Sequence, residues 1–468
     1  MVMQRDYTYY DLTISLCSTC LKRVYAKIVF QDEKVYMLKN CTEHGFEKVM
    51  IATDVEYYKK CRNYMKPSEM PKQFATEVNH GCPYDCGLCT DHEQHSCLTL
   101  VEITDRCNLS CPTCYACSSP TFGNHRTLDE ISKMFDSIEE HEGPADVVQI
   151  SGGEPTIHPD FFAVLDMAKK RPIRHLMLNT NGLKIANEPG FAERLAEYMP
   201  GFEVYLQFDS FKEDALMKIR GVDLRSVRER ALAKLNELNI FTNLVVTLQK
   251  GVNTDEIGKI LDFALEQPCV RGVTFQPVQV AGRLENFNPA TDRYTMTEVR
   301  QAILDQSKAF TPEDLIPVPC NPDALVMGYA LKIDGKVLPL ARYIDPSELL
   351  AGSKNTILYE QDAFAKGQLL KIFSTGQSVE QVTDDLNDLL CCLPKIAAPS
   401  LKYNNLFRVI VMQFADAYNF DVRAIKKSCV HIVHKDGRII PFETMNLFYR
   451  DDRESTLKQL REHATATF

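Results

Sequence analysis

From Leu98 onward the chain alternates short, nearly continuous apolar runs with longer stretches in which apolar residues recur every three or four positions. A continuous run of four to eight residues suits a strand covered on both faces, and the wider spacing suits a helix with one buried face. Strands are expected at 98–104, 147–150, 175–179, 204–208, 243–248 and 272–276. Between the first two, Leu128, Ile131, Met134, Phe135 and Ile138 share one face of a helix over 127–141, with Thr127 and Glu130 in capping-box register. Leu224, Val227, Ala231, Leu235 and Leu238 mark another helix, and Ile257, Ile260, Leu261 and Ala264 a third. Such alternation predicts parallel strands joined by right-handed crossovers, as a barrel or a doubly wound sheet, with chemistry at the C-terminal strand ends.

Outside this region the pattern changes. Residues 24–38 look β-like, 345–390 read as helices and polar connections, and 405–418 as a strongly apolar helix. A hairpin is expected from 429–433 and 438–442 around Lys435-Asp436-Gly437. With 468 residues, 45% of them hydrophobic, the chain can bury a large core and hold several domains. Lys+Arg 53 against Asp+Glu 63 gives a net charge of -10, no broad basic field for a phosphate backbone, and so no nucleic-acid partner. The start, Met1 to Asp6, lacks a secretory pattern, and no stretch is apolar for the length of a bilayer span, so the expected location is cytoplasmic.

The 17 cysteines change the picture most. In a chain of this size, at metal-ligand spacing, they read as reduced ligands and not as disulfides. Cys107, Cys111 and Cys114 place three thiols in one short loop directly after the first strand; three ligands for four irons leave one iron open, while a mononuclear zinc would take Cys117 as its fourth ligand. Cys82, Cys86 and Cys89 repeat the spacing and Cys97 completes four, enough for an electron-relaying 4Fe-4S cluster or a structural zinc. Cys17, Cys20 and Cys41, with His44 preferred over Cys61 as the fourth ligand, suit one tetrahedral zinc or a rubredoxin-like iron. Cys320, Cys391, Cys392 and Cys429 are scattered; they are either buried thiols or a third cluster presented by proline-rich loops, with one of the adjacent pair a bystander.

The CxxxCxxC loop, followed by Ser151-Gly152-Gly153-Glu154-Pro155 after the second strand, resembles the radical S-adenosylmethionine superfamily over residues 98–276. A plain strand-to-helix turn is the alternative for the glycine pair by itself. The resemblance implies a 4Fe-4S cluster on Cys107, Cys111 and Cys114 whose open iron chelates S-adenosylmethionine and cleaves it reductively to a 5'-deoxyadenosyl radical. It implies cofactor contacts from Ser151, Gly152, Gly153 and Glu154, from Asn179, Asn181, Gln207 and Asp209 at later strand ends, and from Gln276 on the last strand. An aromatic often precedes the third cysteine in that family; here Thr113 stands there and Tyr115 follows, as the expected adenine contact.

Over most of the chain, the knuckle at Cys17, Cys20, Cys41 and His44, the segment Gly81 to Cys89, the radical loop, and the C-terminal 416–421 and 427–431 resemble the archaeal tetraether lipid synthase and dihydro-hydroxymethylpterin methyltransferase-like group. This implies an α/β fold: a partial (β/α)6 TIM-type barrel at 98–285, a rubredoxin or zinc-ribbon-like domain at 1–75, a cluster-binding bridge at 76–97, and a C-terminal α+β cluster-binding extension at 286–468. It implies one or two auxiliary 4Fe-4S clusters, a mononuclear zinc or iron, and an external low-potential electron donor of flavodoxin or ferredoxin type. The activity expected first is carbon-carbon bond formation at an unactivated carbon of a lipid-like substrate, with transient contact at a membrane surface. The second is radical methylation or oxidation of a pterin or other small molecule; the third, from another class, is a non-catalytic electron-transfer or scaffold protein.

Overall fold

The computed structural model describes residues 5–64, 69–284, 287–333, 336–342, 405–450 and 453–466. The segment expected at 345–390, with Cys391 and Cys392, lies outside the described residues. The first unit is a four-stranded antiparallel sheet, β1 (Thr8–Leu16), β2 (Arg23–Gln31), β3 (Lys34–Cys41) and β4 (Gly45–Ala52), in sequence order. One face of it buries Ala26, Ile28, Val35 and Met37. Helix α1 (Val55–Cys61) follows, and its Cys61 is buried in the core of the main unit.

All six strands expected in the alternating region form, within one to two residues of the expected ends: β5 (Leu98–Glu102), β6 (Ala145–Ser151), β7 (Ile173–Thr180), β8 (Phe202–Gln207), β9 (Thr242–Leu248) and β10 (Val270–Pro277). They lie side by side in chain order, every neighbour parallel. Helix α2 (Leu128–Glu142) starts at the expected capping box, with the Glu130 N–H donating to Thr127 Oγ1 (3.2 Å) and the Thr127 N–H to Glu130 Oε2 (2.7 Å). Its Ile131, Met134, Phe135 and Ile138 are buried as their spacing demands.

The described residues after 286 do not stand apart from this sheet. β14 (Leu406–Met412) adds in parallel beside β10, and β15 (Val430–Val433) adds in parallel beside β5, so eight parallel strands run in succession. Beyond β14 lie the antiparallel β12 (Leu325–Ile333) with β11 (Ile316–Pro317) and β13 (Lys336–Pro339); beyond β15 lies β16 (Ile439–Pro441), completing the expected hairpin. The apolar helix expected over 405–418 is thus a strand. Leu406 to Met412 is buried at every position, and a short run that is apolar but for Arg408 and rich in β-branched residues is what a strand covered on both faces requires.

Arg408 of β14 reaches across the sheet's inner face to Glu203 of β8, two N···O contacts of 2.7 Å, and His175 of β7 lies 3.0 Å from the same carboxylate. All three are buried. Burial favours the neutral acid, but the Arg408 charge and the His175 hydrogen bond hold the Glu203 carboxyl down, to about 2. A carboxylate depressed in the fold contributes stability above its unfolded pKa near 4.5 and loses it as pH falls toward 2, by roughly 3 kcal/mol in all. Over that window, pH-dependent denaturant unfolding of the wild type is expected to be steeper than that of Glu203→Gln.

Candidate functional site

At the C-terminal ends of the parallel strands a cavity of ≈ 1260 Å³ opens, counting its mouth. The wall combines Leu98, Leu100, Met412, Phe414 and Phe442 with Gln149, Asn179, Tyr205, Gln207 and Gln276, and its rim carries Cys107, Cys111 and Cys114.

The cysteine loop is held from several sides. The Leu109 N–H points at Cys107 Sγ (3.4 Å), the Arg283 guanidinium donates to the Cys111 and Ser118 carbonyls (2.7 and 2.6 Å), and Cys114 exchanges two backbone bonds with Arg283. Gly152 and Gly153 are required by this loop as much as by any ligand. A Cβ on either would sit 2.2 Å from the carbonyl oxygen of Thr104 or Arg106, and Gly152 has φ +132°, so only glycine lets the turn after β6 press against the loop. Burial pushes the Cys107 thiol up to about 12 and raises Cys111, which the Arg220 guanidinium beside it partly offsets.

Does this loop fit an iron-sulfur cube? Cys107, Cys111 and Cys114 are the cysteines lining the cavity among the described residues, and Cys117, the fourth ligand a closed zinc site would need, is exposed and outside that lining. Three thiols with a coordination position facing the cavity suit a four-iron cube with one open iron.

Behind the rim, the strand ends form a connected polar layer. Asn179 Nδ2 donates to Ser151 Oγ (3.2 Å), Gln207 Nε2 to Asn179 Oδ1 (3.3 Å), and Asn181 Nδ2 to Asn108 Oδ1 in the cysteine loop (2.7 Å). Ser151 is fully buried and does not line the cavity; its hydroxyl accepts the Asn179 amide. Glu154 lines the cavity, but its carboxylate is held by Thr156 and Thr180 Oγ1 (2.5 and 2.7 Å) and the Asn181 N–H (2.8 Å), tying the ends of β6 and β7 together. Tyr115 lines the cavity, its ring 4.9 Å from Phe442 and 5.6 Å from the Arg450 guanidinium, which is clamped to Glu102 (2.7 and 2.9 Å). Gln276 faces the cavity and bonds the Tyr205 hydroxyl (3.0 Å).

Asp209 is a correction. Expected as a cofactor contact, it is fully buried outside the cavity lining, where it takes Arg220 through two bonds of 2.7 Å and Arg228 through one of 2.8 Å. Arg220 faces the cavity instead. An Asp so close after a strand reads in sequence as a strand-end ligand; only the tertiary structure reveals the two guanidinia folded over it. Gln149, Arg220, Arg283 and Arg450 carried no motif in the sequence and were not singled out.

The ribbon's donors do gather tightly. Cys17, Cys20, Cys41 and His44 all lie within 4.8 Å of one another, with Cys20 Sγ to Cys41 Sγ at 3.9 Å and His44 Nδ1 at 3.6 and 3.5 Å from Cys17 and Cys41. A tetrahedral zinc with Zn–S about 2.3 Å and Zn–N about 2.05 Å has edges of about 3.8 and 3.6 Å. The site fits a single ion, and His44, not the core residue Cys61, is the fourth donor. Cys41→Ser is expected to lower the mononuclear metal content of purified protein from about one per chain toward zero by elemental analysis.

Cys97 does not stand with Cys82, Cys86 and Cys89. Its thiol lies within 4.8 Å of those of Cys320 and Cys429, all three buried, with Cys320 and Cys429 at 3.6 Å. The sheet explains this: Cys97 and Cys429 directly precede β5 and β15, and the Leu98 N–H donates to the Cys429 carbonyl (3.1 Å). Cys82 and Cys86 lie against each other in a loop whose Cys86 N–H is bonded by the Tyr449 hydroxyl (2.8 Å).

The Radical SAM superfamily family model matches residues 101–264, and the HMPTM N-terminal zinc ribbon domain matches residues 9–53. The 7,8-dihydro-6-hydroxymethylpterin dimethyltransferase of Methanocaldococcus jannaschii is 31% identical, with 94% of each chain covered. A GTP 3',8-cyclase of Listeria monocytogenes is 30% identical over 39% of this chain and 55% of its own. Among solved structures, Streptococcus suis SuiB bound to S-adenosylmethionine is similar at a TM-score of 0.37 and 15% identity, covering 44% of this chain and 46% of that one.

Proposed function

This chain belongs to the radical SAM superfamily, in the group of the M. jannaschii pterin dimethyltransferase, and from that premise we propose that it methylates a reduced pterin or closely similar heteroaromatic by radical chemistry. The protein is an enzyme that uses S-adenosylmethionine and a 4Fe-4S cluster, with an auxiliary cluster and a zinc site beside them. When bound, the reduced cluster and S-adenosylmethionine supply a carbon-centred radical able to take a hydrogen atom from an unactivated carbon. The chain's own part is to hold and shield. Cys107, Cys111 and Cys114 present the cluster, and Gly152, Gly153, Glu154 and Asn181 shape the turn against it. Asn179, Gln207, Gln276 and Tyr115 offer the cofactor polar and aromatic contacts, and Leu98, Leu100, Met412, Phe414 and Phe442 exclude water from the radical's path. The six strand-helix units from β5 to β10 are read as a partial (β/α)6 TIM-type barrel, and the electron as coming from a low-potential flavodoxin or ferredoxin.

One observation carries the choice of substrate: the cavity wall, apolar for the most part, includes the buried Gln149 amide, whose Nε2 has no partner in the protein. A heteroaromatic edge pairs with that amide, whereas a lipid chain leaves it unpaired. Lipid coupling, the activity expected first from the sequence, therefore ranks second. Of the apolar residues of 405–418, Met412 and Phe414 reach the cavity while Leu406, Phe407 and Val409 are packed in the sheet. No described helix is long and apolar enough to cross a membrane. Anaerobic, cluster-loaded protein given S-adenosylmethionine, a reductant and 7,8-dihydro-6-hydroxymethylpterin should yield methylated pterin by mass spectrometry. Coupled long-chain lipid, with the pterin untouched, would replace this reading by the second.

A further inference from the structure

We infer that Gln149 selects the substrate, its carboxamide pairing with the acceptor-and-donor edge of a heteroaromatic ring at the floor of the cavity. The inference rests on the proposed pterin-like substrate and names the residue that recognises it.

Gln149 lies on β6 two residues before Ser151, on the same face and one step deeper than the strand-end layer, roughly 6–7 Å further in. Its neighbours across the sheet are Leu100 on β5 and Met177 on β7, which offer no hydrogen bond. It is 3% exposed, it lines the cavity, and its Nε2 has no hydrogen-bond partner in the protein. The other side-chain amides of the lining behave differently. Asn179 donates to Ser151, Asn181 to Asn108, Gln207 to Asn179, Gln276 to Tyr205, and Gln279 to the Ala415 carbonyl. Among the described lining residues, Gln149 alone leaves its amide nitrogen unpaired.

A buried, unsatisfied amide is costly and uncommon, so its place in a cavity wall marks where a ligand atom completes the bond. A carboxamide sets one donor and one acceptor side by side, the arrangement by which Asn and Gln read the paired donor and acceptor of a purine edge. A fused lactam and amidine ring offers the same pairing, and an alkyl chain offers none. A site built around such a bond rejects analogues lacking it far more strongly than an apolar pocket rejects an added group.

The test is equilibrium dialysis of 7,8-dihydro-6-hydroxymethylpterin against anaerobic, cluster-loaded protein with S-adenosylmethionine, for the wild type and Gln149→Met. Iron content and thermal midpoint check that the variant folds. Removing the amide at nearly constant volume should raise Kd at least tenfold, and equal Kd in the two proteins overturns the inference. If Gln149→Met fails to fold, Gln149→Glu, which keeps the shape and replaces the donor by a charged acceptor, is read in the same way. Gln149-dependent binding without methylation by the wild type refutes the methylation reading while leaving this inference intact; no binding by the wild type overturns both.

Discussion

Replacing any one of Cys107, Cys111 or Cys114 by alanine is expected to reduce 5'-deoxyadenosine release with dithionite and S-adenosylmethionine to background, and to remove about four irons per chain. Each of these residues lines the cavity, and no fourth cysteine among the described residues stands there to substitute. Two thiols would leave the cube with two unprotected corners and no fixed orientation toward the cofactor. Cys86→Ala is the contrasting case. Its loop lies outside the cavity lining, against Tyr449, so cofactor cleavage uncoupled from product should persist. Equal loss in all four variants, measured by anaerobic chromatography beside Mössbauer spectra, would mean that the bridge site is needed for folding or for electron delivery.

Asp209→Ala is expected to cost about 3–5 kcal/mol of stability, because removing one partner of a buried ion pair strands the other. Here two partners are stranded. Arg220 and Arg228 are 8% and 2% exposed, and both close on the one carboxylate, which also accepts the Thr247 N–H at 3.1 Å. Burial favours protonation of Asp209, but the two guanidinia and the Thr247 N–H hold its carboxyl below the usual range. Asp209→Asn keeps the shape without the charge and should fall between wild type and alanine in thermal midpoint. Arg220→Gln separates the site from the fold. It removes a cation beside Cys111 while Arg228 keeps Asp209 paired, so the midpoint potential of the Cys107–Cys111–Cys114 cluster should shift downward, since a nearby positive charge favours the reduced, more negative state. A thermal midpoint of Asp209→Ala equal to wild type would show that the carboxylate is not the counterion of the pair.

How much of this could be read from the residues varies from element to element. The six strands β5 to β10 and helix α2 were legible because burial on two faces or on one writes itself into the spacing of apolar residues. The 405–418 segment misled because Leu406 to Met412, apolar but for Arg408, carries no clear period. The strand is decided by its neighbours β10 and β12, whose partners Gly272↔Arg408 and Gly328↔Val409 are 136 and 81 residues apart in sequence. A still longer separation explains Cys97, since Leu98 and Val430 pair 332 residues apart. Spacing placed it with Cys82, Cys86 and Cys89, whereas the β5–β15 pairing sets it beside Cys429.

By itself, then, the sequence determined what is local: the CxxxCxxC loop, the Gly152-Gly153-Glu154-Pro155 turn, and the ribbon donors Cys17, Cys20, Cys41 and His44, each a short segment whose ligands or glycines are near neighbours in the chain. The tertiary structure decided what depends on distant strands coming together. It exchanged Asp209 for Arg220 at the cavity, moved Cys97 to Cys320 and Cys429, paired Glu203 with Arg408, and left the Gln149 amide without a partner at the cavity floor. A buried charge or amide is judged by what surrounds it in space, and those surroundings are set by the register of the sheet.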